Sequence, residues 1–410
     1  MRFLVVLGLL LSVEVSAGSI LITNAVLHTV RDDAVINDAD ILINDGVIEA
    51  IGTDLESTAD RIIDAAGMPV TPALFAGVTS HGLTEVGAVS ESVDGRLSGV
   101  AVGNLHPEFD VKRAYTPHSS LINVTRIEGF GYALLAASSS DSSVSGTGSM
   151  VEFDGGYESF SGKSVLYIDV DGRSSRKVGG SRAAHWMELD GAMADLSKRD
   201  GEREYLSDAG SDALKRLKRS GVFVFDAYRA ADIRQVIAFA EKHDIKAMVH
   251  GATEAWMVAD ELAEADIPII VDGLSNLPSS FDSIGARLDN AALSHKAGVT
   301  VLFSSGETHN ARKIRQGVGT AVSHGLPYDY ALRALTTLPS ELLDGPDRSV
   351  RVGSIANLTV WSGDPLEVTS YATSVIIDGN EIPMVSRQQL LLERYLPLSL
   401  IHISEPTRPY

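Results

Sequence analysis

The chain has 410 residues, of which 44% are hydrophobic, a formal net charge of −20 and no cysteine. That length suits two domains of roughly 150 residues or more each. Acidity without a long basic run argues against nucleic acid as a partner, because phosphate neutralisation needs clustered Lys and Arg. The lack of cysteine excludes disulfides, thiolate metal sites and a cysteine nucleophile.

Residues 1–17 read as a secretory signal: Arg2, an apolar run from Phe3 to Val13, then Val15-Ser16-Ala17 with small residues before the cut. The run is shorter than the roughly 20 apolar residues a membrane span needs. The expectation is cleavage after Ala17 and a periplasmic or secreted mature protein with no membrane insertion. Residues 18–72 alternate short β-rich runs with turn residues. Within them Ile41-Leu42-Ile43-Asn44-Asp45-Gly46-Val47-Ile48 reads as a hairpin, with Asp45-Gly46 at the positive-φ turn positions. The same texture returns over 351–386, in Asn357 to Trp361 and Ser374 to Asn380. Two β-rich ends flanking a mixed middle predict one small composite β-sandwich built from both termini.

Over 73–350 strands and helices alternate. Short apolar runs at 132–136, 222–225, 247–249, 267–271 and 299–303 are separated by amphipathic stretches such as Ile233, Val236, Ile237 and Ala240. Continuous apolar strands between helices mean parallel strands covered by helices. No Gly-rich phosphate turn follows the first strand, so an α/β fold of the (β/α)8 TIM-like barrel type is favoured over a doubly wound sheet. Residues 138–149, SSSDSSVSGTGS, read as a mobile Ser/Gly loop whose amides could hold an anion, and a surface helix is expected around 183–196. A C-terminal helix is placed at 387–397. Residues 398–410, LSLIHISEPTRPY, resemble a translated sequencing adapter and are set apart from the fold. Gly-x-Ser-x-Gly and Walker-type signatures are absent.

Several stretches in order carry a family resemblance: the 41–52 hairpin, Val70-Thr71-Pro72, Gly82-Leu83-Thr84-Glu85-Val86, Arg229-Ala230-Ala231-Asp232-Ile233, Glu254-Ala255-Trp256 and His309-Asn310-Ala311-Arg312. Ala331-Leu332-Arg333-Ala334, Gly353-Ser354-Ile355, Gly363-Asp364-Pro365-Leu366 and Ile377-Asp378-Gly379 follow. Together they resemble the amidohydrolase superfamily, in particular its imidazolonepropionase-like secreted bacterial branch, over about residues 19–396. The resemblance implies a metal-dependent hydrolase of C–N bonds in amides or cyclic amides, working through water on a divalent ion, zinc foremost. It implies a ligand set at strand ends: His-x-His on the first strand, Lys or Glu mid-barrel, single histidines on two later strands and Asp on the last.

Several of those positions read differently here. The first strand ends in Val78-Thr79-Ser80, and His81 is offset by one residue, so that alternation points it away unless a bulge intervenes. The last, Phe303-Ser304-Ser305-Gly306, has no Asp. The candidate metal ligands are therefore His250, which ends a strand, with Asp226 and Glu307 as carboxylates. Asp226 could equally pair with Arg229 or cap the next helix, and Glu307 could be a solvated loop residue. Arg229, His309 and Arg312 are candidates for substrate binding, while His295 and His324 read as helix-surface residues. The expected substrate is a small amide such as an N-acyl amino acid, a dipeptide-like amide or a cyclic imide. The alternative is a non-catalytic binding protein that keeps the pocket and has lost the metal.

Overall fold

The computed structural model describes residues 18–30, 34–99, 104–138 and 141–403. The expected signal segment and residues 404–410 lie outside them. Strands β1 (Ile20–His28), β2 (Val35–Asn44) and β3 (Val47–Gly52) form an antiparallel meander, followed by β4 (Arg61–Asp64) and β5 (Pro69–Pro72). The β2–β3 hairpin turns at Asp45 and Gly46, with φ of 47° and 82°, as the sequence predicts. β1 carries two register shifts, so its first half pairs with β4 and its second with β5, both parallel.

The chain then enters the barrel: β6 (Leu74–Thr79), β7 (Phe130–Leu135), β8 (Val144–Glu152), β9 (Phe160–Asp169), β10 (Val222–Ala227), β11 (Ala247–Gly251), β12 (Ile269–Val271) and β13 (Val301–Phe303). These eight strands lie side by side in chain order. All pairings are parallel except β7–β8 and β8–β9. Phe223 and Phe225 of β10 face outward, where Phe225 meets Trp186 and Phe239 of two covering helices, Arg182–Asp195 and Ala230–His243. Alternation therefore turns Asp226 to the barrel's inner side.

Finally β14 (Leu358–Trp361), β15 (Ala372–Ile377) and β16 (Asn380–Glu381) return to the first sheet, where β14 pairs with β5. Both chain ends thus build one hydrogen-bonded sheet around its own core of Ile22, Leu27, Ile41, Ile43, Val70, Leu358 and Ile376. Trp361, fully buried, joins this sheet to the barrel core and donates from Nε1 to Thr71 Oγ1 at 2.9 Å.

The Ser/Gly stretch is the main departure from expectation. Its second half, from Val144 onward, is a buried central strand instead of a mobile loop. Gly148 explains why: a Cβ there would lie 1.9 Å from the Leu135 carbonyl oxygen and 3.4 Å from the Tyr167 ring. Small residues let this antiparallel strand pass between crowded neighbours, a packing demand that local composition does not display. The helix expected around 183–196 is present, but one face is buried, with His185, Glu188 and Leu189 turned inward. The C-terminal helix begins at Arg387 and continues to Ile403. Among the described residues no helix is long and apolar enough to cross a membrane.

Candidate active site at the barrel mouth

Parallel in-register pairing sets Asp169, Asp226 and His250 in a row, because Asp169 lies opposite Asp226 and Asp226 opposite His250. Each stands at or near the C-terminal end of its strand, where sites of this fold are built. His250 Nδ1 and Asp226 Oδ1 are 2.5 Å apart. The side chains of His250 and Asp226 keep 20% and 34% exposure, so a small molecule can reach them. Asp169 is buried and hydrogen-bonds to Asp226, which two carboxyl groups can do only with a proton between them. Ser145, from the antiparallel β8, closes the row by donating to Asp169 Oδ2 at 2.8 Å.

The electrostatics follow from this row. Burial, then the neighbouring Asp226 charge, pushes Asp169 well above the usual carboxylate range and keeps it neutral. Burial acts on Asp226 in the same upward sense, but the charge and hydrogen bond of His250, with the hydrogen bond from Asp169, hold it below its ordinary value. Burial lowers His250, yet the charge and hydrogen bond of Asp226, helped by Asp272 just beyond β12, raise it overall. Tyr228 is pushed up, first by Asp226 and then by burial. The hydrogen bond orients the ring: Nδ1 is held by Asp226, while Nε2 bonds to none of the described residues.

Asp226 thus takes His250 as partner. It neither pairs with Arg229 nor caps the next helix; Glu254 takes that cap, accepting from Ala230 N at 3.0 Å and Gly285 N at 3.1 Å. Arg229 grips Asp232 through two bonds of 2.9 and 2.8 Å, within a network that also holds Arg182 and Asp282. Glu307, just before the 3-10 helix Thr308–Lys313, and His309 within it are both exposed and stand 3.6 Å apart, and Arg312 of the same helix is exposed as well. His81 is fully buried. Its Nδ1 meets Thr79 Oγ1, and its Nε2 lies 2.8 Å from Thr125 Oγ1. Burial lowers its pKa to about 3. Thr125 donates onward to Leu121 O, so the network assigns a neutral ring protonated at Nε2.

The donor set does not suit a metal ion. Among the described residues no group of three or more His, Asp and Glu is placed to hold one. Both carboxyls of the Asp169–Asp226 pair already spend oxygens on protein partners, both nitrogens of His81 are engaged, and Ser304 bonds to the backbone of Val78. Beyond the Nε2 of His250, a cation would have to break these contacts to gather ligands from this set. Asp169 and Ser145 were not among the sequence candidates. Asp169 ends the apolar run Val165 to Ile168 as Asp226 ends its own, which was a usable signal; Ser145 was hidden in the Ser/Gly stretch.

No family model matches the chain. One stretch of 85 residues is 33% identical to a protein described as amidohydrolase tasK from Hapsidospora irregularis; it is 20% of this chain and only 9% of that protein. Among solved structures, an amidohydrolase from Thermotoga maritima MSB8 superposes with a TM-score of 0.75 at 22% identity, covering 89% of this chain and 99% of that one. Molinate hydrolase gives a TM-score of 0.53 at 14% identity, over 96% and 98% of the two chains. A β-aspartyl dipeptidase from Fervidobacterium islandicum AW-1 gives 0.50 at 12% identity, over 88% and 95%. On this likeness the chain carries the barrel-and-sheet fold of the amidohydrolases.

Proposed function

We propose that this protein hydrolyses a C–N bond of a small amide or cyclic amide at the barrel mouth, with His250 as general base and Asp226 as its orienting partner. The observation that carries this reading is the 2.5 Å Asp226–His250 contact, which leaves Nε2 without a bond to any described residue. Nε2 takes a proton from water as the water oxygen attacks the carbonyl carbon. Asp226 stabilises the imidazolium that forms, and Asp169 and Ser145 hold Asp226 in line. The proton then passes from Nε2 to the leaving nitrogen as the C–N bond breaks, giving a carboxylate and an amine.

The likeness to an amidohydrolase and a β-aspartyl dipeptidase supports C–N bonds of small molecules as the substrate class. The imidazolonepropionase-like branch and an extracytoplasmic location belong to the same proposal, on the motifs and the leader-like residues 1–17. The test is product analysis by mass spectrometry with N-acyl amino acids, β-linked dipeptides and cyclic imides. Turnover should fall by a factor of about 10²–10⁴ in His250→Gln. Turnover indifferent to His250→Gln would refute the assignment. Saturable binding without turnover would favour the second reading, a non-catalytic binding protein, which the unsuited donor set motivates.

A further inference from the structure

The ligand set implied by the resemblance would tie the first barrel strand to the last, through two imidazoles on one and a carboxylate on the other. In this chain those strands, β6 and β13, stand at the two ends of the strand order and share no ladder among the described residues. The seam between them is crossed by side chains. Ser304 Oγ accepts from Val78 N at 3.1 Å and lies 3.3 Å from Val78 O. Thr308 Oγ1 accepts from Ser80 N at 3.1 Å and meets the Ser80 hydroxyl at 3.1 Å. Lower on β13, Val301 N donates to the Tyr330 hydroxyl at 2.7 Å instead of to a strand. The approach is close: a Cβ at Gly77, where φ is +74°, would stand 2.7 Å from Ser304 Oγ and 2.8 Å from its Cα.

We infer that Ser304 and Thr308 staple the barrel seam where a shared metal ion would otherwise join the two strands, so that this barrel closes and keeps its stability without a divalent ion. Three observations converge on this. Val78, at the position of the first-strand ligand, offers the staple its backbone N–H and C=O. Ser304, in the final-strand segment where the carboxylate is missing, is 3% exposed and spends its hydroxyl on that same residue. Further along the mouth, the carboxyl groups of Asp169 and Asp226 are already hydrogen-bonded by Ser145, by each other and by His250, and among the described residues no group of three or more His, Asp and Glu is placed to hold a cation.

The test uses the full chain and no substrate, so its failure is distinct from failure of the hydrolase reading. Elemental analysis should find far less than one metal ion per chain, and neither a chelator nor added Zn²⁺ should move Tm. Ser304→Ala should lower Tm by about 2–4 °C. Hydrogen exchange should rise by about fivefold or more in β6 and β13, with β9 to β11 little changed. Ser304→Thr, which keeps the hydroxyl, should restore both. If Ser304→Ala does not fold, Thr308→Val is read in its place for seam exchange. A stoichiometric metal ion, a Tm that falls on chelation or rises with Zn²⁺, or seam exchange unchanged in a folded variant would overturn the inference.

Discussion

His81 gives a quantitative prediction that separates packing from chemistry. Unfolded, its imidazole titrates near 6.5; folded, burial lowers it to about 3. Between those values the unfolded chain binds a proton that the folded chain refuses, so stability rises with pH across the window. The stabilising contribution is fully present above 6.5 and is lost as pH falls towards 3. Each pH unit inside the window is worth about 1.4 kcal/mol, so moving down by about two units costs roughly 2.7 kcal/mol from this residue alone. His81→Gln offers one donor and one acceptor to Thr79 and Thr125 but does not titrate. Urea unfolding of both proteins at about pH 6.5 and about pH 4.5 gives the double difference, in which every other titrating group cancels. The loss on acidification should be smaller in His81→Gln by about 2–3 kcal/mol. Equal losses in the two proteins would show that His81 is protonated, or accessible, in the folded state, and the reasoning would fail.

Other outcomes follow from the same geometry. The rising limb of kcat/KM against pH should have its midpoint above 6.5, because the charge and hydrogen bond of Asp226, with Asp272, outweigh burial in raising His250 and the base must be neutral; in Asp226→Asn only Asp272 is left to oppose burial and the midpoint should move down. Arg348 is 8% exposed, lies with its guanidinium 3.4 Å from the Tyr132 ring centroid and pairs with Glu152 at 3.0 Å. Arg348→Ala should cost about 3–5 kcal/mol in chemical denaturation by stranding Glu152, and Glu152→Gln added to it should recover part of that loss. Gly148→Ala should destabilise by about 3 kcal/mol or more, since its Cβ would meet the Leu135 carbonyl oxygen at 1.9 Å; a wild-type denaturation midpoint would refute the tight passage of β8.

Much of this protein was written locally. The Asp45-Gly46 turn, the apolar runs of β10 and β11 and the amphipathic helix after β10 depend on periodicity and turn chemistry, which neighbouring residues supply. The two β-rich ends read as one composite β-sandwich built from both termini, and the pairing of β14 with β5 joins them in one sheet. His250 and Asp226 were legible for a similar reason: each is a polar residue ending an apolar strand. Their pairing with one another was not. It depends on the register between strands 24 residues apart, and only the assembled sheet sets it. Asp169 needed the same register, and Ser145 also needed the antiparallel strand that Ser/Gly composition disguised. Tertiary structure likewise decided His81: its offset from Ser80 marked it as unlike a first-strand ligand, but only folding buries it between Thr79 and Thr125. Sequence determined which residues could do chemistry; strand register and burial decided which of them meet.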